Sequence, residues 1–279
     1  MEKTSYYVIK KSAKAKMQGH FGETFLALAL IPFVLSMGNS IISTSLIKYE
    51  TITNIIQFLI AVLISYITIM LSLKLSKGKY RDLFSNLFGN SKGYLNVLIY
   101  RFIITLFTII PLLLYIDFFD KLTNYFANLP LDYVFDSNEL GNVMIGFLPS
   151  NTLIIISIVS LFLGFIINIK LFFTPYLIVD KDIKAIDALK LSWKYTNGNF
   201  FRVLFFPLSF ILWYLLIFVT FGLILIYVIP YTKLSYAVFY NHILKENGDF
   251  IKDDAEKSVV NDSSNSKKNE IEYDPLDDF

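Results

Sequence analysis

Apolar positions in this 279-residue chain gather into long unbroken runs, separated by short basic segments. A helix needs about 20 mostly apolar residues to cross a bilayer. Runs of that length occupy 24–47, 52–75, 94–116 and 151–173, and a fifth, 199–244, holds two, 199–221 and 222–244. Strands of a membrane barrel would instead alternate in segments of about ten residues. The pattern predicts an all-α, polytopic helical membrane protein with six transmembrane helices arranged as three hairpins, joined by amphipathic helices.

The segments between the runs carry a helical period. In "DKDIKAIDALKLSWKYTNG" (180–198), Ile186, Leu189 and Trp193 share one helical face. Asp182 is placed to cap the start and Gly198 the end. An amphipathic helix over 182–198 is expected to contact the membrane surface, with Trp193 at the interface and Lys184, Lys190 and Lys194 toward lipid phosphates. The arm 1–20 reads similarly, with Tyr6, Ile9, Ala13 and Met17 on one face and Gly19 at its stop. "YRDLFSNLFGNSKG" (80–93) is a candidate third such helix. A weak repeat, "QGHF" (18–21), "SKGY" (91–94) and "NGNF" (197–200), opens three of the runs, and Pro32, Pro111 and Pro207 follow.

Composition agrees with this class. Charged residues are 17% of the chain and mean hydropathy is +0.55, against about 25% charged in a soluble domain. The first run is too long, and followed by too many others, for a cleaved signal peptide. Lysine and arginine set the orientation. Lys3, Lys10, Lys11, Lys14 and Lys16 precede the first run. Lys74, Lys77, Lys79, Arg81 and Lys92 follow the second, and Lys170, Lys181, Lys184, Lys190 and Lys194 follow the fourth. The opposite side has Lys48 and Lys121. Both termini are therefore expected on the cytoplasmic side of a bacterial cytoplasmic membrane. The outer loop 117–150 carries Asp132, Asp136 and Glu139, most simply a solvated acidic face. The tail 245–279 has five lysines against eleven acids, which predicts an acidic disordered cytoplasmic segment.

The chemical inventory is sparse. With no cysteine, disulfides and thiolate chemistry are excluded. "GNSKG" (89–93) satisfies a nucleophile-elbow pattern, but that pattern needs a strand-to-helix turn. His20 and His242 lack metal-ligand spacing. No acid lies at mid-depth in the runs, where a proton relay would place one. Ser36, Ser40 and Thr44 repeat at i+4, a small-residue packing stripe. No enzymatic activity, cofactor, metal or nucleic-acid partner is expected.

One group stands out. In "LIYVIPYTKLSYAVFY" (225–240), Lys233 falls near the middle of the last run, where an ammonium costs about 2.5–3.5 kcal/mol. Lys233, Tyr236 and Tyr240 share a face that reads as a polar stripe open to the cytoplasm. With Asn39 and Gln57 they form the candidate intramembrane polar site. A rival reading breaks the helix at Pro230 and leaves residues 231–244 at the interface.

The segments "IKKSAKAKMQGHF" (9–21), "KAIDALKLSWKYTNGNFF" (184–201), "LSFILWYLLIFVTFGLI" (208–224) and "PYTKLSYAVFY" (230–240) resemble domain-of-unknown-function family 975, uncharacterised bacterial integral membrane proteins. The resemblance spans about Ile9 to Leu244. It implies six spans, favours a hairpin at 199–244, and supplies no reaction or catalytic residue. The expected function is a non-enzymatic scaffold, accessory or protective factor acting through membrane partners or lipids. The bilayer, anionic lipid headgroups, another membrane protein or a second copy are the partners in view. The alternative is a small transporter or lipid-handling protein with a polar cavity around Lys233.

Overall fold

The computed structural model describes residues 3–45, 49–85, 87, 91–113, 116–129, 141–142 and 151–248. Its regular elements are helices: α1 (Tyr6–Gln18), α2 (Phe21–Phe25), a π-helical turn (Leu26–Leu30), α3 (Ile31–Ser45), α4 (Glu50–Ser76), α5 (Ser91–Leu113), α6 (Ile116–Ala127), α7 (Asn151–Lys170), α8 (Thr174–Lys181), α9 (Ala185–Asn197), α10 (Phe200–Leu208), α11 (Ile211–Val219) and α12 (Leu225–Glu246). Four described stretches are long and apolar enough to cross a membrane: Phe21–Ile42, Thr51–Ser76, Ile154–Lys181 and Phe200–Val219. They coincide with the first, second, fourth and fifth expected runs, and suit a membrane-embedded protein. The expected acidic face at Asp132, Asp136 and Glu139 lies outside the described residues, as does the tail from 249.

The chain divides into two compact units, one built from its two ends (up to residue 90 and from 205 onward) and one from 91–204. In the first unit α12 is central. Leu234, Ala237, Phe239, Tyr240 and Ile243 are fully buried, and α1, α4 and the π-turn pack against it. Its neighbour α11 has no buried residue, with Leu212 71% and Phe218 81% exposed. The more polar helix is enclosed and the more apolar one faces outward, the arrangement lipid enforces on polar side chains.

The arm docks on protein. Ile9, Ala13 and Met17 form the face expected from the sequence, but they are buried inside this unit rather than turned to lipid. The Thr4 N–H donates to Glu246 Oε1 at 2.8 Å, and Phe21 stacks on Tyr227 with ring centroids 6.4 Å apart. These two contacts lie at opposite ends of α12, so the arm runs antiparallel to it. Asn241 Nδ2 donates to Ser76 Oγ at 2.9 Å and ties α12 to the end of α4.

Prolines account for two irregularities. Pro32 has no N–H, and its ring crowds the carbonyl four residues back. The π-turn before it widens the helix, with Ile31 N–H bonded five residues back to Leu26 O. Pro207 lies in α10. After α10 the helix stops at Ser209–Phe210 and restarts as α11. By contrast α12 runs through Pro230 unbroken, so the break expected there by the rival reading does not occur. The reversal falls instead at 220–224, where Phe221 (φ 49°) and Gly222 (φ 86°) both adopt left-handed backbone.

Two expectations are corrected by rearranged contacts. Residues 81–85 form turns rather than a helix. Lys74 Nζ draws that chain in by donating to the carbonyls of Asp82, Leu83 and Ser85. Ser36, Ser40 and Thr44 lie on an exposed face of α3, and each hydroxyl donates to the carbonyl four residues earlier. Their polar groups are satisfied within the helix, and the face is exposed among the described residues.

In the second unit α5 packs against α7, α8 and α9. The chain kinks at 171–173 between α7 and α8, and α9 holds the kink. Ser192 Oγ accepts the Phe173 N–H at 3.2 Å and donates to Lys170 O at 2.9 Å. Thr196 Oγ1 donates to the same carbonyl at 3.1 Å.

Candidate functional site

The first unit's distinctive polar contact sits where α10 and α11 separate. Trp213 N–H bonds to Phe210 O at 2.9 Å, so Ser209 O loses its usual partner four residues on. Lys10 from α1 fills that place. Its Nζ donates to Ser209 O at 2.6 Å and lies 4.1 Å from the centroid of the Phe210 ring. A carbonyl and an aromatic face both attract an ammonium. Burial pushes the Lys10 ammonium below the usual lysine value of 10.5.

Aromatic rings surround this contact. Phe206 and Phe210 are fully buried and meet edge-on at 5.6 Å. Phe206 also meets Tyr6 at 5.7 Å and Phe239 at 4.4 Å, and Phe210 meets Tyr231 at 5.7 Å. Trp213 continues the stack onto Tyr227 and Tyr231. The pairs 206–239, 210–236 and 213–231 show α10–α11 running antiparallel to α12.

This packing changes the expected polar stripe. Tyr236 lies against Phe206 and Phe210, and Tyr240 is fully buried. Tyr236 belongs to the aromatic cluster and Tyr240 is buried, so the two do not form an open lane to water. Lys233 is half-buried and makes no hydrogen bond or ion pair among the described residues. Asn39 and Gln57 are half-buried too, and Asn39 Oδ1 is buried without a partner there. No hydrogen bond joins Lys233, Asn39 and Gln57 to one another.

At the junction of α1 and α2, His20 stacks on Tyr80 at 3.7 Å, and its Nδ1 lies 3.4 Å from Glu23 Oε1. Tyr80 Oη donates to Lys16 O at 2.9 Å. Burial, with the Glu23 charge adding to it, raises the Tyr80 phenol above its usual value. These contacts close the turn between arm and span. They include no nucleophile, and no group of three metal-binding side chains occurs among the described residues.

In the second unit, α9 docks through a face that the sequence pattern did not single out. Ala185, Ala188, Ser192, Tyr195 and Thr196 are buried, whereas Ile186 is 60% and Trp193 45% exposed. Lys184, Lys190 and Lys194 are exposed with them. The helix therefore docks through a small and polar stripe and presents its apolar stripe outward. Asp182 is left-handed and does not cap the helix. Asn96 of α5 does, its Oδ1 accepting the Ala185 N–H at 3.2 Å. Lys170 Nζ donates to Asn197 Oδ1 and lies over the rings of Trp193 and Phe200. An open groove of about 900 Å³ separates α5 from the start of α9.

A family model described as a protein of unknown function (DUF975) matches residues 1–247. The chain belongs to the DUF975 family. No curated protein and no solved structure matches it. The DUF975 match takes in the whole arm and the whole of α12, so Thr4, Lys10 and Glu246 all fall within it. Residues 248–279 lie beyond it.

Sequence reasoning on this DUF975 chain placed Lys10 in a basic arm and Pro207 in a span. It did not join them, because 199 residues separate Lys10 from Ser209. It also passed over Asn96, an ordinary residue in an apolar run. The available signal was polar content: an asparagine among apolar neighbours needs a partner.

Proposed function

We propose that the protein is a non-enzymatic membrane component, an accessory, scaffold or protective factor that acts through lipids or membrane partners. The observation that carries this reading is the use of its cations. Lys10, Lys74 and Lys170 each serve as a cap on backbone or amide oxygens. Intramembrane hydroxyls such as Ser36, Thr68 and Thr232 bond back to their own helix. Polar groups used in this way stabilise packing and leave little for acid–base or nucleophilic work. The exposed surface that remains is apolar with lysines at its edge, which favours lipid and helix partners.

In this reading the protein has six spans, with α5 and α12 completing the four most apolar stretches. It lies in a bacterial cytoplasmic membrane with both termini on the cytoplasmic side. The lysine distribution supports that orientation. A transporter reading rests on Lys233 alone, half-buried and unpaired among the described residues.

The test is a deletion strain challenged with a panel of membrane-active peptides, complemented with wild type and with Lys233→Leu. Altered sensitivity restored by both forms is the expected result. Unchanged sensitivity across the panel would count against a protective role. Restoration by wild type but not by a well-folded Lys233→Leu would favour the transporter reading.

A further inference from the structure

We propose that the groove between α5 and α9 is a binding site for one anionic phospholipid, its phosphate held by Lys92 and Lys184. The inference deepens the reading of a membrane protein that works through lipids, and rests on it. Three observations converge. First, the groove carries unused donors. Lys92 and Lys184 line it, and neither makes a hydrogen bond or ion pair among the described residues. Asn96 lines it as well. Its Oδ1 is committed to the Ala185 N–H, and its Nδ2 has no partner there.

Second, the rest of the lining is apolar. Leu95, Ile99 and Ile186 are 53%, 47% and 60% exposed. On α5 the same face continues through Phe102 (57%) and Leu106 (48%). The spacing of 95, 99, 102 and 106 is one helical stripe. Lys92 stands one turn before its start. A lysine head above an apolar helical stripe matches a phospholipid, phosphate at one end and acyl chain along the other. A free phosphate would use the lysines and leave the stripe bare.

Third, the two acids that line the groove, Asp182 and Asp187, both stand on its α9 side. Asp187 is third in α9, where a carboxylate offsets the helix dipole, and Asp182 has interactions of its own. The α5 side carries no acid in its first turn, where Lys92 opens the apolar stripe. This site differs from diffuse attraction by Lys190 and Lys194, which lie farther along α9 outside the groove.

The experiment uses the full chain, purified in mild detergent and examined by native mass spectrometry. Phosphatidylglycerol is titrated in competition with phosphatidylcholine. Wild type is expected to retain one phosphatidylglycerol with about tenfold preference or more, from about 1 kcal/mol per lysine. K92Q/K184Q should lose that preference, and K190Q/K194Q should keep it. Ile99→Asn, which leaves both lysines, should weaken retention of either lipid. Equal losses in the two lysine pairs would reduce the effect to surface charge and overturn the site. Displacement of the lipid by millimolar inorganic phosphate would assign the lysines to free phosphate and overturn it too. If wild type sits in the membrane fraction yet shows no preference, the site fails while the membrane reading stands. If wild type is found in the soluble fraction, the membrane reading itself fails.

Discussion

At the scale of single residues, Lys10 and Phe221 are the positions where local chemistry is least ordinary. Lys10 supplies an ammonium to a carbonyl stranded by a helix break. Hydrogen bonds to charged groups contribute about 1.5–3 kcal/mol, so Lys10→Met should destabilise the protein by that amount in denaturant titrations in micelles. The effect should depend on pH. Burial holds the folded-state pKa of Lys10 below its unfolded value of 10.5. Between those two values the unfolded chain binds more protons, so wild-type stability rises with pH through that window. The Lys10→Met variant should lack this component, and parallel wild-type and variant curves would contradict it. Phe221 is 97% exposed with a left-handed backbone. The 6→1 bond from Gly222 N–H to Ile217 O marks it as the position where a helix end usually places glycine. Phe221→Gly should stabilise the turn by about 1 kcal/mol. A loss of thermal stability would instead show that the ring anchors the turn.

At the scale of elements, the helices were legible where one apolar run forms one helix. The runs at 52–75 and 151–173 became α4 and α7 with small shifts of their ends. Gly19 and Gly198 stand just past α1 and α9 as expected. What could not be read was which face turns inward. The periodicity of α9 showed an outward face with Ile186 and Trp193, but not that Ala188 and Ser192 would be the buried residues. In a membrane no hydrophobic force drives helices together, so small and polar residues make the close contacts. For the arm the apolar face was correct, but its partner was α12 rather than lipid. Asn96 shows the same limit, since a cap from another helix leaves no local trace. Asn96→Leu should cost about 1 kcal/mol, the scale of a lost cap. Hydrogen exchange should show it as faster exchange confined to the first turn of α9. Uniform change across α5 and α9 would contradict that account.

At the scale of the whole molecule, polarity is turned inside out. The least apolar long helix, α12, is enclosed, and the most apolar, α11, is bare. The candidate polar site was legible only as a list of residues. Lys233, Tyr236 and Tyr240 are neighbours on α12, but Tyr236 packs on Phe206 and Phe210 and Tyr240 is buried. Asn39 and Gln57 are not bonded to them. Which polar groups stay free depends on packing between distant segments, and a single sequence does not carry that information.

We propose that the first and last helices, which lie together, place both ends of this membrane-embedded protein on the cytoplasmic side. The most direct measurement is thiol accessibility in whole cells. The chain has no cysteine, so each introduced cysteine is its single thiol. Lys3→Cys, Lys121→Cys and Asn247→Cys would be treated with a membrane-impermeant maleimide before and after permeabilisation. Labelling of Lys121→Cys is expected in intact cells, and of the other two only after permeabilisation. Labelling of Lys3→Cys and Asn247→Cys on opposite sides would contradict this.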